Sequence, residues 1–255
     1  MNTPDKTNNH PTPPGQSGTQ QFQEEEYVLP YHWLIERATK KGAVYFGYWN
    51  IALMYAGNFK EKNVLDAGCG DGFFTSLIAT KNPQSVTGVD YSERAISFAQ
   101  LLAPHAKFYV EQIDKLSFPD KSFDIIFLIE VLEHVPSAGR ERIAKELSRI
   151  LRDNGIIIVS SPSLLMPVIE KHEQHFSEAT FCNALAPYFI ANQVTGQDGT
   201  GYIRTLYLFF FRLAKNRLWT LHPAIQFLTK TFYPHFLNKV PIHHARRFVG
   251  IFRKS

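Results

Sequence analysis

Three glycines at alternate positions, Gly68, Gly70 and Gly72, stand in the run Val64-Leu65-Asp66-Ala67-Gly68-Cys69-Gly70-Asp71-Gly72-Phe73. Glycines in such a place let a chain leave a strand in a tight turn and let a ligand lie directly against bare backbone. A dinucleotide fingerprint has its third glycine one residue later, and a phosphate-gripping loop ends in Gly-Lys-Ser/Thr, so both readings lose ground here. Further on, Gly88-Val89-Asp90-Tyr91 closes a second apolar run. It brings a carboxylate to the mouth of the glycine turn, where it can accept two hydrogen bonds from a ribose diol. A second group is built on histidine: His134 in Glu130-Val131-Leu132-Glu133-His134, and His172 and His175 in His172-Glu173-Gln174-His175-Phe176. Imidazole is the side chain suited to take a proton near neutrality, so these three are the candidate catalytic bases. No metal is assigned. The alternative is a set of Glu130, Glu133, His134 and His175, two carboxylates and two imidazoles able to hold a divalent ion that acidifies a substrate hydroxyl. Cys69 receives no chemistry, because no cationic neighbour in sequence favours its thiolate.

These groups need a frame that brings strand ends together. Short apolar runs at 64–65, 85–89, 107–111, 123–129 and 156–159 read as strands, and helix-period segments at 73–81, 92–102 and 138–151 fall between them. In the last helix Ile143, Leu147, Ile150 and Leu151 form one stripe, and Asn154-Gly155 supplies a stop. Strict alternation of strand and helix implies a parallel sheet covered on both faces, with ligands at the strand carboxyl ends. Beyond Pro162 a helix near 177–185 and a strand near 190–195 are expected. Leu218, Leu221, Ile225, Leu228 and Phe232 then recur at helical spacing up to Pro234, and 248–252 reads as a final strand.

The segments 64–73, 88–92, 118–124, 129–136 and 155–160, in this order, resemble the class I S-adenosylmethionine-dependent methyltransferases, in the small-molecule branch that includes quinone O-methyltransferases. The resemblance covers about 63–159. It implies an α/β, Rossmann-like fold: a seven-stranded, mostly parallel sheet with helices on both faces and an antiparallel last strand, which 248–252 can supply. It implies S-adenosyl-L-methionine as cofactor, with Asp66 and the backbone of Gly68 and Gly70 at its methionine portion and Asp90 on the ribose hydroxyls. Tyr91 then packs on the adenine, Gln112 and Ile113 flank its edge, and Ile129 and Glu130 lie beneath the reacting methyl. The family usually carries Asp where this chain has Gln112. The Glu-x-x-Glu-His pattern is also similar to that of small-RNA 3′-terminal 2′-O-methyltransferases and of some quinone O-methyltransferases that use a metal.

At 255 residues with 44% apolar side chains, the chain can bury one sizeable core. Residues 1–21 hold four prolines among polar residues and no aromatic, and read as a disordered tail. Segment 22–62 reads as an N-terminal cap of one or two amphipathic helices, 63–201 as the cofactor-binding core, 202–245 as a basic, aromatic helical insertion, and 246–255 as the closing strand. Charge sets the insertion apart: between Gly199 and Ser255 lie ten of the 27 basic residues and none of the 23 acidic ones. Its Leu, Ile and Phe content at helical spacing suits an anionic membrane or a lipid-like substrate better than nucleic acid. The run 202–214 is too short to span a bilayer and contains Arg204 and Arg212. Two cysteines and no hydrophobic leader after Met1 point to a cytoplasmic protein that can touch a membrane peripherally. The expected function is methyl transfer to oxygen of a small hydrophobic or lipid-linked acceptor, with the insertion capping the acceptor pocket. The alternatives are an RNA 2′-O-methyltransferase with a metal site and a non-catalytic scaffold.

Overall fold

The computed structural model describes residues 27–169, 172–216 and 218–255; the segment expected to be a disordered tail lies outside them. After a series of turns from Tyr27, the first described helix, α1, spans Lys40–Ala56, with Thr39 accepting the Gly42 N–H as its N-cap. Alternation follows: β1 (Asn63–Ala67), α2 (Phe73–Ala79), β2 (Ser85–Asp90), α3 (Glu93–Leu102), β3 (Lys107–Val110), β4 (Phe123–Ile129), α4 (Ser137–Ile150) and β5 (Leu151–Pro162). The remainder contains α5 (Glu178–Cys182), β6 (Phe189–Gly199), α6 (Tyr202–Ala214), α7 (His222–Phe227), α8 (Tyr233–Phe236) and β7 (Ala245–Lys254).

The seven strands form one sheet in the order β3-β2-β1-β4-β5-β7-β6. The first five are parallel, and β7 runs antiparallel to both β5 and β6. Neighbouring side chains on a strand point to opposite faces, and both faces here are covered. Leu65, Ile126, Leu128, Ile157 and Val159 meet Ile143, Leu147 and Ile150 of α4 on one side. Val64, Ile125, Phe127 and Ile158 meet Phe74 and Ile78 of α2 and the Trp49, Ile51 and Leu53 face of α1 on the other.

Three expectations change. α1 is not amphipathic: it buries residues around its circumference, because the sheet lies on one side and a second small core on the other, where Ala43 packs with Tyr207, Phe211, Ile225, Leu228 and Tyr233. Asn154-Gly155 does not end α4; the chain turns extended at Leu151, and both residues sit within β5 beside an irregularity in its pairing with β4. Leu218 and Leu221 precede α7, and Leu218 is 83% exposed. Helical structure instead continues through Leu228–Phe232 as a π turn and crosses Pro234, which sits in the first turn of α8. A wider turn there accommodates the missing proline N–H. Among the described residues no helix is long and apolar enough to cross a membrane.

Candidate active site

The chain leaves β1 through Gly68, Gly70 and Gly72, all with positive φ. A Cβ at Gly68 would strike the Val131 side chain, and one at Gly70 the Tyr27 hydroxyl, so only bare backbone fits beneath whatever lies on this turn. Asp90, at the end of β2, ties the turn in place: its Oδ2 accepts the Gly70 N–H at 2.9 Å and its Oδ1 the Ser92 N–H at 3.0 Å. Asp66 ends in the same space, accepting the Thr75 hydroxyl at 2.6 Å, and burial pushes its carboxyl up to about 7. Cys69 is buried in the loop, and burial, with Asp90 and Asp66 nearby, raises its thiol well above the ordinary value.

Sequence reasoning missed the clasp that holds the N-terminal segment on this loop. Asp71, itself fully buried, accepts the His32 backbone N–H at 2.9 Å and faces His32 Nδ1 at 3.0 Å, while the Trp33 indole donates to the Asp71 carbonyl at 2.8 Å. The signal available was an acidic residue inside a glycine turn, beside an aromatic-rich leader; only the folded chain joins them.

Around the loop opens a cavity of about 970 Å³, at the upper end of ordinary ligand sites. Every residue expected to bind the cofactor lines it: Asp66, Gly68, Gly70, Asp90, Tyr91, Gln112, Ile113, Ile129 and Glu130. Glu130, just past β4, has φ +56, a conformation rare outside glycine and found disproportionately at functional sites. Ser160 donates to its Oε1 at 2.8 Å, and Arg247 of β7 donates from Nε to Oε2 at 2.7 Å. Burial opposes the charge on Arg247, yet Glu130 and Tyr48 raise its pKa above that of an ordinary arginine.

The histidines assemble, but not all at the cavity. His134 follows β4 in a 3₁₀ turn, and its ring meets that of His172 edge-on at 4.9 Å. Both line the cavity, whereas His175 is buried behind them and does not reach it, which removes His175 from the candidate bases. Its Nδ1 lies 3.0 Å from the Met166 carbonyl and its Nε2 lies 2.7 Å from His172 Nδ1. A carbonyl only accepts, so His175 Nδ1 carries the proton; with neutral rings His175 Nε2 accepts and His172 Nδ1 donates. That tautomer makes His172 Nε2 the basic atom.

The alternative metal set is also redrawn. Glu130 is engaged by Arg247 and Ser160, and His175 by His172 and Met166. The ligand atoms of Glu133, His134 and His172 lie within 4.8 Å of one another. Glu133 accepts the Ser161 hydroxyl at 3.0 Å, and burial followed by the neighbouring Glu130 raises its pKa well above the carboxylate range, toward a neutral acid.

The rest of the cavity lining differs from expectation. α1 contributes Lys40, Lys41, Tyr45, Tyr48 and Trp49, and among the described residues of the basic, aromatic insertion only Arg204 lines the cavity.

The methyltransferase domain family matches residues 65–159. A probable S-adenosylmethionine-dependent methyltransferase of Mycobacterium tuberculosis is 34% identical over 102 residues, 40% of this chain and 36% of that protein. A ubiquinone biosynthesis O-methyltransferase of Coxiella burnetii is 35% identical over 106 residues, 40% of this chain and 44% of its own length. The match thus spans less than half of these relatives. In fold, the chain is similar to the N-methyltransferase NodS of Bradyrhizobium japonicum, solved with S-adenosyl-L-homocysteine, at a TM-score of 0.64 and 16% identity over 94% of this chain and 100% of that one. With the sheet order and the glycine turn in agreement, residues 65–159 match a methyltransferase domain, set in the α/β, Rossmann-like methyltransferase fold.

Proposed function

We propose that the protein transfers a methyl group from S-adenosylmethionine to an oxygen of a small hydrophobic or lipid-linked acceptor. The observation that carries this reading is one cavity lined together by the glycine turn with Asp90, by the aromatic residues Tyr45, Tyr48 and Trp49 of α1, and by His134 and His172. The glycine turn and Asp66 receive the methionine portion, Asp90 the ribose, and Tyr91, Gln112 and Ile113 the adenine. The sulfonium supplies an activated methyl, so the chain's own work is alignment and removal of one proton; alignment alone can lower such a barrier by up to roughly 7 to 11 kcal/mol. As the new carbon–oxygen bond forms and the carbon–sulfur bond breaks, the hydroxyl proton passes to His172 Nε2, whose tautomer is held by His175. The oxygen acceptor is supported by the name of the Coxiella relative and by a base at the cavity wall.

The test is mass spectrometry for a gain of one methyl after incubation of the protein and donor with quinone, lipid, glycan and RNA fractions. Methylated RNA as the sole product would sink the small-acceptor reading. Once an acceptor is in hand, His172→Ala is expected to slow turnover by about 100-fold or more while leaving S-adenosylhomocysteine affinity unchanged, the range of general-base effects. Activity that survives exhaustive chelation accompanies this reading; recovery on adding magnesium, manganese or zinc would transfer His172 and Glu133 to a metal.

The lipid-linked option rests on the outer face of the insertion. Tyr207, Phe211 and Ala214 of α6 point inward, leaving Tyr202, Phe209, Phe210 and Leu213 exposed, with Leu218, Trp219 and Phe227 exposed beside them. An apolar face in a stretch rich in lysine and arginine and free of acid suits an anionic bilayer surface. The protein is expected to sediment with phosphatidylglycerol vesicles and to release at about 1 M salt, where screening acts within about 3 Å. Phe209→Ser with Phe210→Ser is expected to lower partitioning at least about tenfold, since burying each ring is worth about 1.5–3 kcal/mol. Equal binding to neutral vesicles would rule out the electrostatic part.

A further inference from the structure

One part of the cavity lining carries more positive charge than its fold requires. Arg204 of α6 and Arg246 of β7 both face the single carboxylate of Asp198, with Nε atoms 3.5 and 3.0 Å from it. Neither Nε is aligned for a hydrogen bond, and both are buried without a hydrogen-bond partner among the described residues. Tyr233 also donates to Asp198, at 3.3 Å. Arg247 is 8% exposed, lies over the Tyr48 ring at 4.7 Å and directs Nε and Nη2 to Glu130, while its Nη1 is buried with no hydrogen-bond partner among the described residues. Lys40 and Lys41, exposed in the same lining, meet aromatic faces: Lys40 that of Phe211, Lys41 those of Tyr31 and Tyr45. All five cations line the cavity, and the acids beside them are Asp198 and Glu130. Three guanidinium groups thus share two carboxylates within an aromatic wall. Buried donors with no acceptor are costly, and an arginine fork matches a planar carboxylate or a phosphate.

We infer that the acceptor is an anion, and that its carboxylate or phosphate is held by Arg204, Arg246 and Arg247 at this end of the cavity while its hydroxyl is presented toward His172. The inference rests on the methyl-transfer reading and narrows its substrate class. Three guanidinium groups and two lysines outnumber Asp198 and Glu130 here; an anionic acceptor offsets that surplus and is turned by it, whereas a neutral one leaves it in place, so charge pairing fixes which oxygen is offered for methylation.

The probes are phenyl phosphate, benzoate and the neutral benzyl alcohol, titrated calorimetrically into the full chain saturated with S-adenosylhomocysteine. At least one anion is expected to bind ten times more tightly than benzyl alcohol; preference between phenyl phosphate and benzoate tells phosphate from carboxylate. Arg204→Gln and Arg246→Gln are each expected to weaken the preferred anion at least fivefold without altering S-adenosylhomocysteine affinity. Arg212→Gln, which removes a charge from the same helix as Arg204 but outside the cavity, is expected to leave it unchanged. Benzyl alcohol binding as well as the anions, or Arg212→Gln weakening the anion as much as Arg246→Gln does, would overturn the inference. Failure of S-adenosylhomocysteine itself to bind would strike the methyl-transfer reading instead, so the two failures are distinguishable.

Discussion

Asp90→Ala is expected to raise the dissociation constants of S-adenosylmethionine and S-adenosylhomocysteine together, by about 100-fold. In the proposed pose the carboxylate receives both ribose hydroxyls, and hydrogen bonds to a charged group are worth about 1.5–3 kcal/mol each. Two lost at the lower end amount to about 3 kcal/mol. The same carboxylate also accepts the N–H groups of Gly70 and Ser92, so its loss loosens the turn on which the cofactor rests. Both effects act on the two ligands alike, because they differ only at the sulfur. Calorimetry with each ligand is the measurement. Unchanged affinity for both would remove Asp90 from the ribose and with it the proposed orientation of the cofactor; loss confined to S-adenosylmethionine would place Asp90 near the sulfonium.

The largest stability effect is expected from Arg247→Met. Arg247 and Glu130 form an ion pair with side chains 9% and 19% exposed, in which Arg247 Nε donates to Oε2 at 2.7 Å and Nη2 lies 2.7 Å from the same oxygen. Removing one member of a buried pair typically costs about 3–5 kcal/mol, because the other charge is stranded. At roughly 2–4 °C per kcal/mol for a chain of this size, melting is expected to fall by about 6 °C or more. Adding Glu130→Gln is expected to recover most of the loss, since it removes the stranded charge. If the double variant is as unstable as Arg247→Met alone, the arginine acts through its stacking on Tyr48 rather than through the pair.

Much of this architecture was legible in sequence because buried parallel strands are near-continuous apolar runs, and 123–129 holds six Ile, Leu or Phe residues in seven positions. The glycine turn and Asp90 were legible because their chemistry is local: backbone freedom in one case, a strand-end carboxylate in the other. Pairings between distant elements were not. Asp71 reads as one more acid in a loop until the turn at His32 and Trp33 closes on it. Arg246-Arg247 did carry a signal, two charges entering a strand that continues Phe248-Val249, where burial demands a partner; the partners, Asp198 and Glu130, come from other strands' ends. Helical spacing misled at Leu218 and Leu221, since apolar residues at the right interval can equally lie on an exposed loop. It misled again at α1, whose two-sided burial follows from a neighbour that sequence periodicity does not see.

α1 stands in two cores at once and also lines the cavity. This part of the cavity lining is therefore not a detachable lid, and on the proposed reading it is the part that meets an acceptor. Tyr48 and Trp49, which line the cavity, are also among the most deeply buried side chains of the helix. Lineages that change acceptor by altering this helix must do so within the narrow stability margin of a natural protein. Diversification of substrate is then easiest through the rim, at the exposed Lys40 and Lys41, where charge can be exchanged without reopening either core.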